Sequence, residues 1–400
     1  MPEADATAHE TAHEPQHEAP HEPRHDVVII GGGAVGLLLA CLLVRRGVDA
    51  VVLERRTSRP ARSRAIGIHP PGVRALALAG VESEVRARAV EILDGRVTCE
   101  GRVLGAMSFR RAGTVLSLPQ RETEEVLERR LEELRPGALR RGIEVRGVRD
   151  RGTHVEVDGV DVTGGGEVST VGARYAIAAD GVRSGIREQL GIPWHPHRGR
   201  AFYVMGDTRD DTGEPASALL HFEPAGVVES FPMPGGTRRW VAWVRRPPAS
   251  PTAAQLATIV RTRTDGVFDE STASEPSAFE ARQHLAARMA QGRVALAGDA
   301  AHEVSPIGGQ GMNLGWLDAM RLDHDLAAAL AVGAPYEAFG AYDRIRRASA
   351  ARALRQAAFN MRMGAPASGV RLRARNGAVR FLGLAPFRAL LARAFTMRWL

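Results

Sequence analysis

Lysine is absent from this chain. All 53 basic residues are arginine, set against 46 acidic ones, for a formal net charge of +7. No mechanism that needs a lysine amine can operate here. The arginines are scattered, usually beside Glu or Asp, with no aromatic interleaving, so the positive balance predicts no nucleic-acid surface. Cysteine is scarce. Cys41 and Cys99 cannot build a disulfide framework, and both are expected to be small structural residues. Long apolar runs are missing too: none approaches the roughly 20 residues of a membrane helix. The polar, acidic N-terminus lacks the basic start and apolar stretch of a signal peptide. These absences predict a cytoplasmic protein with no membrane span. A length of 400 residues allows one large domain or two moderate ones, and 44% hydrophobic with 25% charged residues is ordinary for a globular protein.

Residues 1–25 are low complexity. His9, His13, His17, His21 and His25 recur every four residues, the first four each followed by Glu. His9-Glu10-Thr11-Ala12-His13 has the HExxH spacing of zinc proteases, which works only on a buried helix with a third ligand. Here Pro15, Pro20 and Pro23 break the frame and no apolar face exists. A disordered tail is expected, and no metal centre.

Three glycine-bearing motifs organise the rest. Val27 to Ile30 reads as a buried parallel strand, followed by Gly31-Gly32-Gly33-Ala34-Val35-Gly36 and a helix that stops at Gly47. Gly31, Gly33 and Gly36 form a GxGxxG turn. The first two permit a tight turn and close approach to a pyrophosphate, and the third lets helix pack on strand. The phosphates meet the helix N-terminus, whose free N–H groups and dipole favour negative charge. Glu54 ends the second strand, where a carboxylate takes the ribose hydroxyls of a dinucleotide and repels a 2′-phosphate. Ala178-Ala179-Asp180-Gly181 lies near the middle. Gly298-Asp299 comes late and runs on to Pro306-Ile307-Gly308-Gly309-Gln310-Gly311-Met312-Asn313. No second glycine fingerprint follows, so a nicotinamide has no Rossmann domain of its own.

Short apolar strands adjoin these motifs. Longer alternating strands are expected over 96–118 and 200–246, helices over 71–90, 120–134, 252–264, 278–291 and from Met312 to Leu330, and a largely helical remainder. The pattern predicts an α/β fold: a Rossmann-like nucleotide-binding domain (26–95, 118–198 and 285–350) interrupted by a mostly antiparallel β-sheet substrate domain (96–117 and 199–284), with C-terminal helices over 351–400. Those last helices carry apolar residues at roughly helical spacing and are expected to pack on the core.

The set Gly31 to Gly36, Glu54, Asp180-Gly181 and Gly298-Asp299 resembles the single-component (class A) FAD-dependent aromatic hydroxylases of the para-hydroxybenzoate hydroxylase type, and their relatives in aromatic polyketide pathways, over about residues 26–350. The resemblance implies FAD as cofactor and NADH or NADPH as reductant. It implies oxygenation of an aromatic or polyketide-like molecule by O2, through a flavin C4a-hydroperoxide. It makes Asp299 the carboxylate on the ribityl hydroxyls. It sets Pro306, Gly309, Gly311, Met312 and Asn313 along the isoalloxazine, where a helix N-terminus stabilises anionic reduced flavin. Ala34 and Asp180, with Ser184 and Arg187 downstream, fit the other cofactor positions. So do Arg64 and Gln120, while Arg55 stands near the adenine. A flavin-dependent reductase or dehydrogenase of the same fold is the alternative. A flavin halogenase relies on an active-site lysine, which this chain lacks.

The cofactor supplies the chemistry, so few catalytic side chains are needed. No catalytic residue is certain from sequence. His221 and Glu223 are candidates to act on a phenol proton. Tyr203, Met205, Phe222, Phe231, Met233 and Trp243 are candidates to line the substrate pocket, and strand alternation allows about half of them to face it. The chain is expected to be a monomer or homodimer.

Overall fold

A computed structural model describes residues 24–60, 65–110, 113–384, 387, 392–393 and 395–397. The histidine-rich segment up to residue 23, and Arg64, lie outside the described residues. His25, the last of the repeated histidines, opens the first strand and pairs with Asp49 through Nδ1 at 2.9 Å.

Among the described residues, eight strands form the first sheet. Its central ladder runs Val294–Leu296, Val168–Ala178, His25–Ile30, Ala50–Glu54 and Leu139–Arg141, all parallel. Val155–Asp161 and Ile143–Asp150 extend it as an antiparallel meander. A parallel sheet is covered on both faces, which is why Val27 to Ile30 is uninterrupted apolar sequence. The helix Ala34–Arg45 packs there between Gln120–Leu134 and Gln310–Ala331. It buries Leu37, Leu38, Leu39 and Leu43, each adding roughly 1.5–3 kcal/mol relative to an exposed side chain.

The seven-stranded second sheet is built from Ser277–Ala281, Ala201–Arg209, Thr237–Val244, Val228–Met233, Ser217–His221, Asp94–Cys99 and Arg102–Ser108, in that spatial order. Its strands are antiparallel except where Ser217–His221 meets Asp94–Cys99. One face carries Val204, Trp240 and Ala242 against Leu256 and Val260 of the helix Ala253–Arg263. The other face looks toward the glycine motifs of the first sheet.

The segment 278–291, expected to be helical, is instead extended. It forms the strands Ser277–Ala281, His284–Ala286 and Ala290–Gln291. Apolar residues at 279, 281, 285 and 286 suit either period over so short a run. Pairing of Tyr203 with Phe279 in the second sheet decides for the strand. The expected helix over 71–90 is two helices, Pro70–Ala79 and Glu82–Arg88, parted at the left-handed Gly80.

The polar run after Met320 has a structural role. Asp323 takes the Arg46 guanidinium at 2.7 Å, and Asp325 takes Arg321 at 2.8 Å. Trp316 donates its indole N–H to the Ala34 carbonyl at 2.9 Å. C-terminal helices follow at Gly340–Gly364 and Gly369–Leu382. The second is anchored by buried Arg375, which donates to the Ala365 carbonyl at 3.1 Å and to the Phe222 carbonyl of the second sheet. No helix among the described residues is long and apolar enough to cross a membrane.

Candidate active site

A continuous cavity of about 1010 Å³ runs from the Gly31 turn, past Asp180 and Asp299, to the inner face of the second sheet. At the first end Gly31 has a φ of +109°, and a Cβ there would lie 2.3 Å from the Ala179 carbonyl oxygen. A Cβ on Gly36 would stand 2.0 Å from the Gly31 oxygen, so Gly36 lets the helix start close against the turn without lining the cavity. Gly33 does line it. A Cβ at Gly33 would meet only the Glu124 carboxylate, at 3.8 Å. The following helix has no side-chain N-cap, and Ala34 N–H donates to Glu124 Oε1 at 3.1 Å. Gln120 donates to the same oxygen at 2.7 Å.

Glu54 ends its strand buried, its Oε2 accepting from Gly32 N–H at 2.7 Å. Its Oε1 accepts from both the backbone and the Nε of Arg56 at 2.8 Å. Burial pushes this carboxyl up, but Arg56 and the Gly32 amide outweigh it and hold it below the usual range, so it is ionised at neutral pH. Arg55 is exposed on the cavity rim. Arg55 is the expected residue here, but Arg56 and Glu124 make the contacts. The i,i+2 pair of Glu54 with Arg56, and the one-turn spacing of Gln120 and Glu124, were the available signals.

Asp180 lines the middle, with Oδ1 buried and without a hydrogen-bond partner, and burial raises its carboxyl. Ser184 caps the short helix Gly185–Gln189. Arg187 is a buried brace: it donates to the Ala300 carbonyl at 3.0 Å and to Val182 at 3.1 Å, and lies 4.0 Å over the Trp194 ring. Asp299 sits in the tight turn Gly298–Ala300. Its side chain is open to the cavity, and the protein packed around it pushes its carboxyl up. Behind it Asp318 accepts from Gly298 N–H at 3.0 Å, from His302 Nε2 at 2.6 Å and from Arg346 Nε at 2.7 Å.

Pro306, Gly309, Gly311 and Met312 also line the cavity, and the helix starts at Gln310, two residues ahead of the expected Met312. Asn313 does not face it. Asn313 accepts from His69 N–H at 2.8 Å and donates to Gly67 and Gly309 carbonyls, each at 2.9 Å, so it ties two walls together. His69, absent from the sequence reading, lines the cavity with Nε2 on the Gly308 carbonyl at 2.9 Å. Burial lowers its pKa to about 4, so the ring is neutral.

At the second sheet, Met205 and Phe231 line the cavity. Tyr203 and Trp243 share Met205's face but lie behind it, packed with Ile307 and Met361, and Phe222 joins that cluster. Met233 is buried beyond the cavity's end. His221 and Glu223 are not in the cavity. Alternation turns His221 to the far face, against Trp240, with Nδ1 2.9 Å from Thr98 Oγ1. Glu223 lies past the strand end and accepts the Glu100 backbone N–H. In their place the sheet offers Glu229 and Arg239, with Val241 and Phe279 beside them. Phe395, from the C-terminal segment, closes one side, 5.2 Å from Phe109 and 5.4 Å from His69.

Comparison with known proteins decides what binds here. Residues 24–357 match the family described as FAD binding domain. The 12-dehydrotetracycline 5-monooxygenase/anhydrotetracycline 6-monooxygenase of Streptomyces rimosus is 35% identical over 83% of this chain and 68% of its own length. The chain belongs to the FAD-dependent monooxygenase family. The crystal structure of p-nitrophenol 4-monooxygenase PnpA from Pseudomonas putida DLL-E4 superposes with a TM-score of 0.83 at 25% identity, covering 94% of this chain and 98% of that one. A dialkyldecalin synthase of Streptomyces rugosporus is 33% identical over 82% of this chain and 70% of its own length.

The residues of this monooxygenase fit FAD. Gly33 leaves backbone bare where a pyrophosphate must come close, and Glu54 is held ionised at the strand end. Asp180 and Asp299 both line the cavity, and Asp180 Oδ1 is left buried without a hydrogen-bond partner. NADH or NADPH supplies the electrons and O2 the oxygen.

Proposed function

We propose that this protein oxygenates a phenolic, aromatic or polyketide-like small molecule, with FAD lying along the cavity from the Gly31 turn to the second sheet. The observation that carries this reading is the single cavity joining the dinucleotide motifs to an apolar wall of Met205, Phe231, Val241 and Phe279. Bound there, FAD would supply the chemistry: hydride acceptance from NAD(P)H and transfer of one oxygen atom of O2 to the substrate. The chain's own residues bind, orient and exclude water. In this reading Gly31, Gly33 and Ala34 offer backbone to the pyrophosphate, and Glu54 accepts the adenosine ribose hydroxyls. Asp299 accepts ribityl hydroxyls, and the N-terminus of the helix Gln310–Ala331 favours negative charge on the reduced ring. Met205 and Phe231, with Phe395, keep the reacting face dry.

Relatives named for anhydrotetracycline and p-nitrophenol support an aromatic substrate. Supply of nicotinamide cofactor and two free, buried cysteines support a cytoplasmic site of action. A monomer or homodimer is the proposed state, checked by light scattering.

The test is oxygen insertion under labelled O2. Purified protein with FAD and NADH or NADPH is offered phenols, naphthols and quinones. Faster flavin bleaching with one compound, and one labelled oxygen in its product, is the expected result. A product without added oxygen, whether reduced or rearranged, would overturn the reading.

A further inference from the structure

The cavity's substrate end holds one acid that the scheme above leaves unused. Glu229 stands in the middle of the strand Val228–Met233, paired with Leu220 on one side and Val241 on the other. It is 4% exposed and lines the cavity two residues before Phe231, on the same face. Among the described residues it has no hydrogen-bond or ion-pair partner. A carboxylate that deep is ordinarily satisfied by protein, and an unpartnered one is costly unless a ligand completes it.

The neighbouring elements do not neutralise it. Arg239, the cation on the next strand's cavity face, is opposite Phe231 and gives two hydrogen bonds to Asp207, at 2.7 and 2.8 Å. Tyr203, on the strand beyond, has a buried hydroxyl with no hydrogen-bond partner, pushed well above the ordinary phenol range by burial first and by the Glu229 charge second. On the other flank His221 faces away, against Trp240. Across the cavity His69 is neutral and bonded to Gly308.

We propose that Glu229 is a catalytic residue, which binds a phenolic hydroxyl of the substrate and takes its proton as oxygen is delivered to the ring. The inference rests on the monooxygenase reading above. In this step the phenol O–H bond breaks and an O–H bond forms on the Glu229 carboxylate. The electron pair stays on the phenol oxygen and enriches the ring carbons ortho and para to it, where an electrophilic oxygen is accepted. No oxidant beyond that of the proposed oxygenation is needed. Burial raises the Glu229 carboxyl to about 7, close to the working pH, where a general base is most effective. The same unpaired charge selects for a donor: an aromatic that presented a carboxylate at this point would be repelled, and a phenol is held.

Two measurements on the FAD-loaded full chain test this. The first is the pH profile of kcat/KM for a phenol that the oxygen-insertion assay shows to be turned over. The unaltered protein should lose activity as pH falls through about 7. Glu229→Gln should lose about 10²–10⁴-fold and that acid limb with it, while Glu229→Asp keeps the limb. The second needs no turnover: binding of 2-naphthol and of 2-methoxynaphthalene, followed by perturbation of the flavin spectrum. The unaltered protein should prefer the naphthol at least about tenfold, one hydrogen bond to a charged group, and Glu229→Leu should bind both alike. FAD content per chain controls for folding in each variant. A Glu229→Gln enzyme with an unchanged profile, a Glu229→Leu protein that still prefers the naphthol, or an unaltered protein that binds neither probe overturns the proposal. An unaltered protein that inserts oxygen into no phenol sinks the parent reading instead.

Discussion

His302 and Asp318 meet at 2.6 Å in an enclosed site, one turn of chain away from the carboxylate that points into the cavity. Asp318 also carries Arg346 and the backbone of Gly298. The position of Asp299 is therefore set from behind by a charge network that never touches the cavity. Burial pushes the Asp318 carboxyl up, but His302 and Arg346 outweigh it and leave it below the ordinary range. Asp318→Asn strands the Arg346 guanidinium in the interior, which should cost about 3–5 kcal/mol. Urea denaturation should show that loss at pH 7. FAD content should fall with it, because the Gly298–Ala300 turn loses its anchor.

Gly31 and Gly33 separate folding from cofactor binding. Gly31→Ala forces a Cβ to 2.3 Å from the Ala179 oxygen at a φ of +109°. It should destabilise the fold by more than about 1–3 kcal/mol, the usual range for backbone strain alone, and abolish flavin retention. Gly33→Ala meets only Glu124 at 3.8 Å, so its thermal midpoint should shift little. Its FAD affinity should still drop at least about tenfold, since about 1.4 kcal/mol of lost approach suffices. Flavin absorbance per chain and a thermal scan on both variants check the contrast.

Glu54 links cofactor binding to acid. Its folded pKa lies below the ordinary 4.5, so its stabilising bonds are fully present above that value and are lost as pH falls through the lower folded one. Glu54→Gln should release FAD readily at neutral pH, and the unaltered protein should do so only in acid. Flavin fluorescence during acid titration reads both.

Two buried histidines act in the range just above it. His69 and His221 have folded values of about 4 against an ordinary 6.5. Unfolded chain takes up these protons first, so stability should fall as pH drops from 6.5 to 4, by about 3 kcal/mol at most for each ring. His221→Gln should flatten that slope without emptying the cavity of FAD. Urea midpoints between pH 7.5 and 4.5 measure it.

The nucleotide half of the molecule was readable from residues because its constraints are local. Gly31 is marked by its own left-handed φ of +109°, Gly36 by the Gly31 oxygen, and Glu54 by the Gly32 amide, all within the one strand–turn–helix–strand unit. The braces were not readable. Arg187 on Ala300 joins segments 113 residues apart, and Asp318 meets His302 and Arg346 across turns whose path the sequence does not show, so nothing near either residue marks the partner. The substrate wall failed for another reason. Alternation showed that only some of Tyr203 to Trp243 would face inward, but not where along each strand the cavity begins. Phe231 was recognised, and counting two residues back along its strand reaches Glu229. His221 was favoured for its chemistry although its parity turned it away.

The first sheet places Ile29 beside Ile177, and Ile177 beside Ala295. Between those strands the chain leaves to build the second sheet. A nascent chain therefore cannot close its central ladder until residue 296 has been made, long after the first glycine turn has emerged. Assembly of this protein is governed by its most distant pairings, which makes folding slow and leaves bare strand edges during synthesis. Limited proteolysis of stalled chains should find the Gly31 turn protected only in chains that extend past that strand.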